Sequence, residues 1–257
     1  MVRVASGAVL DVFNITLDGG ANWVVPVADR SGITTSNVNS YNTGAYITTS
    51  GAIIQVDGTL NIDHDAVLQN QCALGGGVAS SAIYINSVPK GASTANMNGG
   101  QIRDNYNLSN SPAVSLTHTD SIFFGKFNMN GGSITENRGD GTEGAGAIHS
   151  RGQVTINGGV MANNIGGRAG AVFHFPFHDI VLSGGIIDSS NRTYGASSDA
   201  TPCVDGVLVS QTASGTEPNR GKIILKGKVQ IDAPIFLGWN GGSGPVYETR
   251  KILVAGA

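Results

Sequence analysis

An all-β protein, folded as one right-handed parallel β-helix with three strands per rung, is the architecture that three features of this sequence predict. The first is a motif that returns along the chain. Asn98-Gly99-Gly100-Gln101-Ile102-Arg103-Asp104-Asn105 recurs as Asn130-Gly131-Gly132-Ser133-Ile134-Thr135-Glu136-Asn137 and as Asn157-Gly158-Gly159-Val160-Met161-Ala162-Asn163-Asn164, with a degenerate copy at Ser183-Gly184-Gly185-Ile186-Ile187. The second is composition: Gly, Ser, Asn and Thr supply 101 of 257 residues while Lys is only 6 and Glu only 4, so turn formers dominate and helix formers are scarce. The third is a set of short apolar alternations inside each copy, such as Gly146-Ala147-Ile148, Val154-Thr155-Ile156 and Val160-Met161. Period-2 runs separated by Gly and Asn are short strands joined by corners.

Three strands per repeat of this length make one rung, which buries its open faces only by stacking on its neighbours. About eight such rungs fit the chain, at ~4.8 Å each. The whole of 1–257 reads as one domain: residues 1–44 as an N-terminal cap and flap, 45–237 as regular rungs, and 238–257 as a last rung or cap. Residues 21–43 interrupt the repeat early and carry Trp23; Trp239 lies near the other end.

At the corner, the Gly-Gly pair marks a place that needs positive φ or has no room for a Cβ. Five residues after the second Gly stand Asn105, Asn137 and Asn164. Asn tolerates the left-handed conformation, and its amide can bond the same amide one rung away. An internal asparagine ladder is expected there, with Ile102, Ile134, Met161 and Ile187 stacked inward.

A net charge of −3 gives no electrostatic reason to expect nucleic acid or an anionic membrane surface. The apolar runs fall far short of the ~18 residues of a membrane helix. Cys72 and Cys203 lie about five rungs apart, beyond the ~7 Å that a disulfide spans, so two thiols are expected.

The Gly-Gly-x-Ile-x-x-Asn motif, followed by a loop and Gly-Ala-Ile or Gly-Ala-Val, resembles repeats of adhesin-like bacterial surface proteins of the pectin-lyase-like class. It is also similar to the chlamydial polymorphic outer-membrane proteins, although Ile or Met stands here where those carry Phe. The opening Val12-Phe13-Asn14-Ile15-Thr16-Leu17-Asp18-Gly19-Gly20 resembles large surface proteins of gut bacteria. The resemblance implies a secreted, surface-anchored location within a longer protein, and attachment to a host or neighbouring-cell glycan or surface protein.

The expected function is therefore non-enzymatic, with no cofactor, no metal, no membrane insertion of this segment and a monomeric state. The rival from another class is a polysaccharide lyase or glycoside hydrolase; a third reading is a stalk with no ligand. For catalysis the best carboxylate pair is Asp104 and Glu136, at one offset of adjacent repeats. Arg138-Gly139-Asp140 matches the integrin-recognition tripeptide.

The candidate binding site is a notch. The corner at 149–153 is very short, while its neighbours at 117–125 and 174–179 are long. Their walls carry Phe123, Phe124, Phe175 and Phe177, with His149, His174, His178 and Asp179 nearby. Aromatic faces with polar partners suit a sugar or peptide. His174, His178 and Asp179 are also residue types that ligate zinc. The alternative is that the Phe residues close the core and the His residues are ordinary surface groups.

Overall fold

A computed structural model describes residues 2–44, 51–75, 77–88, 91–109, 111–119, 123–194, 203–210, 221–239 and 252–254. The described chain is all-β and overwhelmingly parallel, with three short 3-10 turns.

The first sheet takes its eight strands in chain order: Val2–Val4, Ile54–Val56, Ile83–Ile85, Val114–Leu116, Ile148–Ser150, Val172–His174, Val207–Ser210 and Ile235–Trp239. Each pass of the chain thus lays one strand beside the strand of the pass before. The second sheet does the same in two columns separated by the Gly-Gly corner. Thr59–Ile62, Thr94–Met97 and Lys126–Met129 precede the corner; Val67–Gln69, Gln101–Arg103 and Ser133–Thr135 follow it. The longer strands Gln153–Ala162 and Ile180–Ile187 run through the corner and join the columns into one sheet of 13 strands.

A third sheet of five two-residue strands corrects the expectation of three strands per rung. Cys72–Ala73, Tyr106–Asn107, Arg138–Gly139, Ile165–Gly166 and Arg192–Thr193 form it, so the passes that begin at Ile54, Ile83 and Val114 contribute four parallel strands, while those that begin at Ile148 and Val172, whose second-sheet strands run through the corner, contribute three. These strands lack apolar alternation, which is why no hydrophobic pattern announces them. Four of them directly follow a buried asparagine, and Cys72–Ala73 follows the buried Gln71.

Identical positions meet between passes. Ile102 pairs with Ile134, Ile134 with Met161 and Met161 with Ile187, and all four are fully buried. Ile54, Ile83, Val114, Ile148, Val172 and Val207 make an equivalent buried stack in the first sheet. One apolar cluster runs from Val4 to Ala233. Full burial of each such side chain is worth ~1.5–3 kcal/mol.

Both reasons for the Gly-Gly pair hold. The second glycine has positive φ at Gly100, Gly132, Gly159 and Gly185. The first has no space: a Cβ on Gly131 would lie 2.5 Å from the carbonyl oxygen of Asn98 in the preceding pass.

Residues 21–44 lie along the side of the third sheet. Trp23 and Asn42 form an antiparallel bridge, and Ile33 and Val38 pack with Cys72, Leu74 and Tyr106. Trp23 donates to the Asp104 carbonyl at 2.8 Å. The end-capping stretch expected around Trp239 continues into 240–242, outside the described residues.

Candidate functional site

The inner ladder is continuous. The Nδ2 of Asn105 donates to Oδ1 of Asn137 at 2.9 Å, Asn137 to Asn164 at 3.0 Å, and Asn164 to Asn191 at 2.9 Å. Each Oδ1 also accepts the backbone N–H of the preceding member, and each Nδ2 reaches a carbonyl of the preceding pass, such as Asn137 to Ile102 at 3.0 Å. All four side chains are fully buried. Asn191 is a member that the motif offset missed, because the degenerate copy carries one more residue before it. Gln71 holds the opposite end through its backbone N–H, 3.0 Å from Asn105 Oδ1.

The left-handed residue of this corner is not the ladder asparagine. It is the residue before it: Asp104, Glu136 and Asn163 have φ of 55°, 56° and 54°. That turn points Asp104 and Glu136 outward and the asparagines inward. It also decides the fate of the carboxylate pair. Asp104 accepts a 3.0 Å ion pair from Arg30 of the 21–44 segment, a guanidinium that is itself buried. Burial pulls the Arg30 pKa down, and Asp104 and Glu136 oppose the shift. Asp104 thus ties the 21–44 segment to the corner, while Glu136 stays exposed.

The Arg138-Gly139-Asp140 tripeptide is likewise internal. Arg138 donates to Asp140 at 2.7 Å and to the Ala28 carbonyl at 2.7 Å, with both side chains of the ion pair buried. Asp140 also accepts from Tyr106 and from the Gly32 backbone, each at 2.9 Å.

The expected notch is closed. His149 is fully buried, His174 1 % exposed and Phe175 4 % exposed. Phe175 stands edge-on to Phe173 and to His149, with ring centroids at 4.9 and 5.5 Å. The long corners meet over them. His118 stacks on Phe177 at 4.5 Å, Phe124 stacks on His178 at 3.7 Å, and the His118 and His178 rings touch nitrogen to nitrogen at 3.1 Å. Phe123, Phe124, Phe177, His178 and Asp179 are half-buried. Short and long corners do alternate, but apolar rings on both walls bury each other rather than face water. Asp179 accepts the Lys222 backbone N–H at 2.9 Å instead of facing a ligand.

Burial lowers the His149 pKa to about 3, helped by the positive charge of Arg151. Burial lowers that of His178 to about 4, helped by His118, His174 and Lys126. Among the described residues, neither ring nitrogen of His149 has a hydrogen-bond partner of good geometry, although its own backbone offers a weak polar contact. No group of three or more His, Cys, Asp and Glu side chains among the described residues converges to hold a metal ion. Cys72 and Cys203 remain thiols, and burial pushes Cys72 up to about 12.

A different surface is built for contact. On the outer face of the second sheet, Asn128 donates to Asn96 and Asn96 to Asn61 at 2.8 Å each, and Asn61 to Asp11 at 2.7 Å. A second exposed ladder runs along the corner from Asn157 to Asn130 at 2.8 Å, to Asn98 at 2.9 Å and to Asp63 at 3.2 Å. Both point their donors toward the N-terminal passes and end on a carboxylate, Asp11 in the first pass and Asp63 in the second. Beside them lies an open groove of about 450 Å³ whose lining includes His64, Asp65, Gly100, Gln101, Gly132 and Ser133. The signal was in the sequence as Asn96-Met97-Asn98-Gly99 and Asn128-Met129-Asn130-Gly131, an alternation whose outward residues are amides.

Comparison with family models, curated proteins and solved structures finds no match to this chain.

Proposed function

We propose that the chain is a right-handed parallel β-helix of the pectin-lyase-like kind, and that it serves as a non-enzymatic, adhesin-like module on a bacterial surface. Its task is to hold a rigid polar face toward a glycan or protein of a host or neighbouring cell. The observation that carries this reading is the pair of exposed amide ladders flanking the groove. Each carboxamide spends one N–H and one oxygen lone pair on its neighbours and keeps the others for solvent. The face therefore offers donors and acceptors at the spacing of adjacent strands, ~4.8 Å, on a backbone that parallel pairing keeps stiff. A neutral, hydroxyl-rich polymer matches that chemistry better than an acidic one, since Asp65 lines the groove and Asp63 ends the neighbouring ladder.

The hydrolase or lyase rival is disfavoured by the ion pair that occupies Asp104. Binding to an array of neutral and acidic glycans tests the proposal. We expect neutral linear glycans to bind, and the double change Asn96→Leu, Asn128→Leu to weaken binding at least tenfold with melting within a few degrees of wild type. Failure to bind any glycan or cell surface would leave the stalk reading in its place.

A further inference from the structure

The first pass is covered on one side only. Its strands Val2–Val4, Val9–Val12 and Thr16–Asp18 each stand at a sheet edge, paired among the described residues with the second pass alone. Val2, Leu10 and Leu17 lie over Ile54, Leu60 and Leu68, which are fully buried, so the core runs to this end and stops uncovered. With Phe13 and Ile15 they line an open cup of about 220 Å³. Val9 is 63 % exposed and Phe13 59 %. Every interior pass shows the same kind of surface to the pass before it, and there strands and apolar side chains cover it. An occupant of this end must therefore bring strand edges and inward-facing apolar residues.

We propose that the occupant is a second copy of this chain, and that the two meet head to head about a two-fold axis perpendicular to the stack. Their first passes then pair strand to strand, antiparallel. A head-to-tail contact would need the far end of the chain and would not close on itself, whereas a two-fold needs only this one surface.

The surface is self-complementary in that arrangement. The axis through Arg3 pairs Val2–Val4 with itself. It exchanges the other two strands, because Val9–Val12 and Thr16–Asp18 flank the Phe13-Asn14 corner symmetrically. Leu10 falls opposite Leu17 of the second copy and Val12 opposite Ile15, all on the inner face. On the outer face Asp11 falls opposite Thr16, whose hydroxyl can donate to it, and Val9 falls opposite Asp18. Asp11 accepts from Asn61 at 2.7 Å, and Asp18 accepts from Gln69 and Asn70 at 2.9 Å each, so the outer carboxylates are already held in place by their own copy. No two carboxylates come face to face. Arg3 meets Arg3, a like-charge pair that would oppose pairing, but each guanidinium carries Asp57 at 2.6 Å. The turn between the first two strands is Ala5-Ser6-Gly7-Ala8, with no bulky side chain to hold the copies apart.

Such a dimer departs from the monomeric state that the sequence alone suggests. It does not depend on the adhesive reading. The amide ladders lie on the outer face of the second sheet and its corner, so two of them would be presented on one longer rod.

Sedimentation of the full chain over a concentration series reads the assembly. The mass should rise from one chain to two and no further. A monomer at every concentration overturns the proposal, and growth beyond two chains replaces it with head-to-tail stacking. Val9 tests the register, since it is exposed and its replacement leaves the core alone. Val9→Lys faces Asp18 and Val9→Asp repels it, so the first variant should dimerise at least about tenfold more tightly than the second, with the gap narrowing in high salt. Equal dimerisation of the two overturns the pairing.

Cross-linking tests the axis. In a Cys203→Ser background, with Cys72 buried, Arg3→Cys should yield a disulfide-linked dimer on mild oxidation. Opposed Cα atoms of an antiparallel pair lie ~4.5–5.5 Å apart, within the span of a disulfide. Asp11→Cys is also exposed but faces Thr16 instead of itself, so it should not link. Linking at both positions, or at neither, overturns the two-fold. Should Arg3→Cys fail to fold for want of its ion pair with Asp57, a mixture of Val9→Cys and Asp18→Cys chains makes the same test, and should link only when both are present.

Discussion

Asn137 sits between two amides and three carbonyl or amide partners with no water in reach, so every hydrogen bond it makes is one its neighbours depend on. Asn137→Leu should lower stability by about 3 kcal/mol, since it leaves buried groups on Asn105 and Asn164 without partners at ~1–3 kcal/mol each. Asn130→Leu, in the exposed ladder, should cost little because water takes over. Chemical denaturation of the two variants compares them, and equal losses would mean that burial does not set the value of a ladder amide. At this scale the sequence was half legible. A repeated Asn at a fixed offset announced the inner ladder. It did not tell which residue takes positive φ, because Asp104, Glu136 and Asn163 share only a tolerance for that turn and not a residue type.

The 21–44 segment is an element whose composition gave little away. Its Ser, Thr and Asn suggested a cap or flap, yet what holds it is a buried charge set: Arg30 on Asp104, Asp140 on Gly32, and Arg138 on the Ala28 carbonyl. Trp23 lies under the Arg30 guanidinium at 4.5 Å and edge-on to Tyr106 at 6.0 Å. Arg30 should therefore resist trypsin in the folded protein. Trp23→Ala should speed cleavage after Arg30 at least tenfold while leaving the parallel sheets in place, as judged by the far-ultraviolet spectrum. Unchanged cleavage would show that the ion pairs alone retain the segment. The same element engages Asp104, Arg138 and Asp140, and no local pattern in the sequence records that contact with a distant segment.

At the scale of the whole molecule, the apolar alternation predicted most of the first and second sheets, because those strands face one shared core. The sequence left the aromatic corners open between an exposed notch and a closed core, because the choice depends on contacts made across an intervening pass. The first pass is also distinct. Val2 and Val9, on strands paired on one side only, and Phe13 and Ile15, between two such strands, are well exposed, whereas interior strands are covered on both sides.

The steric filling at each Gly-Gly corner has a consequence for how such a gene can change. A single codon gained or lost within a pass displaces every side chain after it onto the wrong face, until an irregular stretch such as the one before Asn191 absorbs the difference. Loss of a whole pass displaces nothing. Ile148 pairs with Val172, so joining Ile148 to Phe173 by deleting 149–172 brings Asn137 opposite Asn191 and Ile134 opposite Ile187, like against like. That shortened protein should melt in one cooperative transition, whereas deletion of 149–160 should leave an aggregating product, and scanning calorimetry beside size-exclusion chromatography distinguishes the two. Lineages of this gene are then expected to differ in length by whole passes, so that the stack grows or shrinks in steps of one strand spacing while the face it presents stays the same.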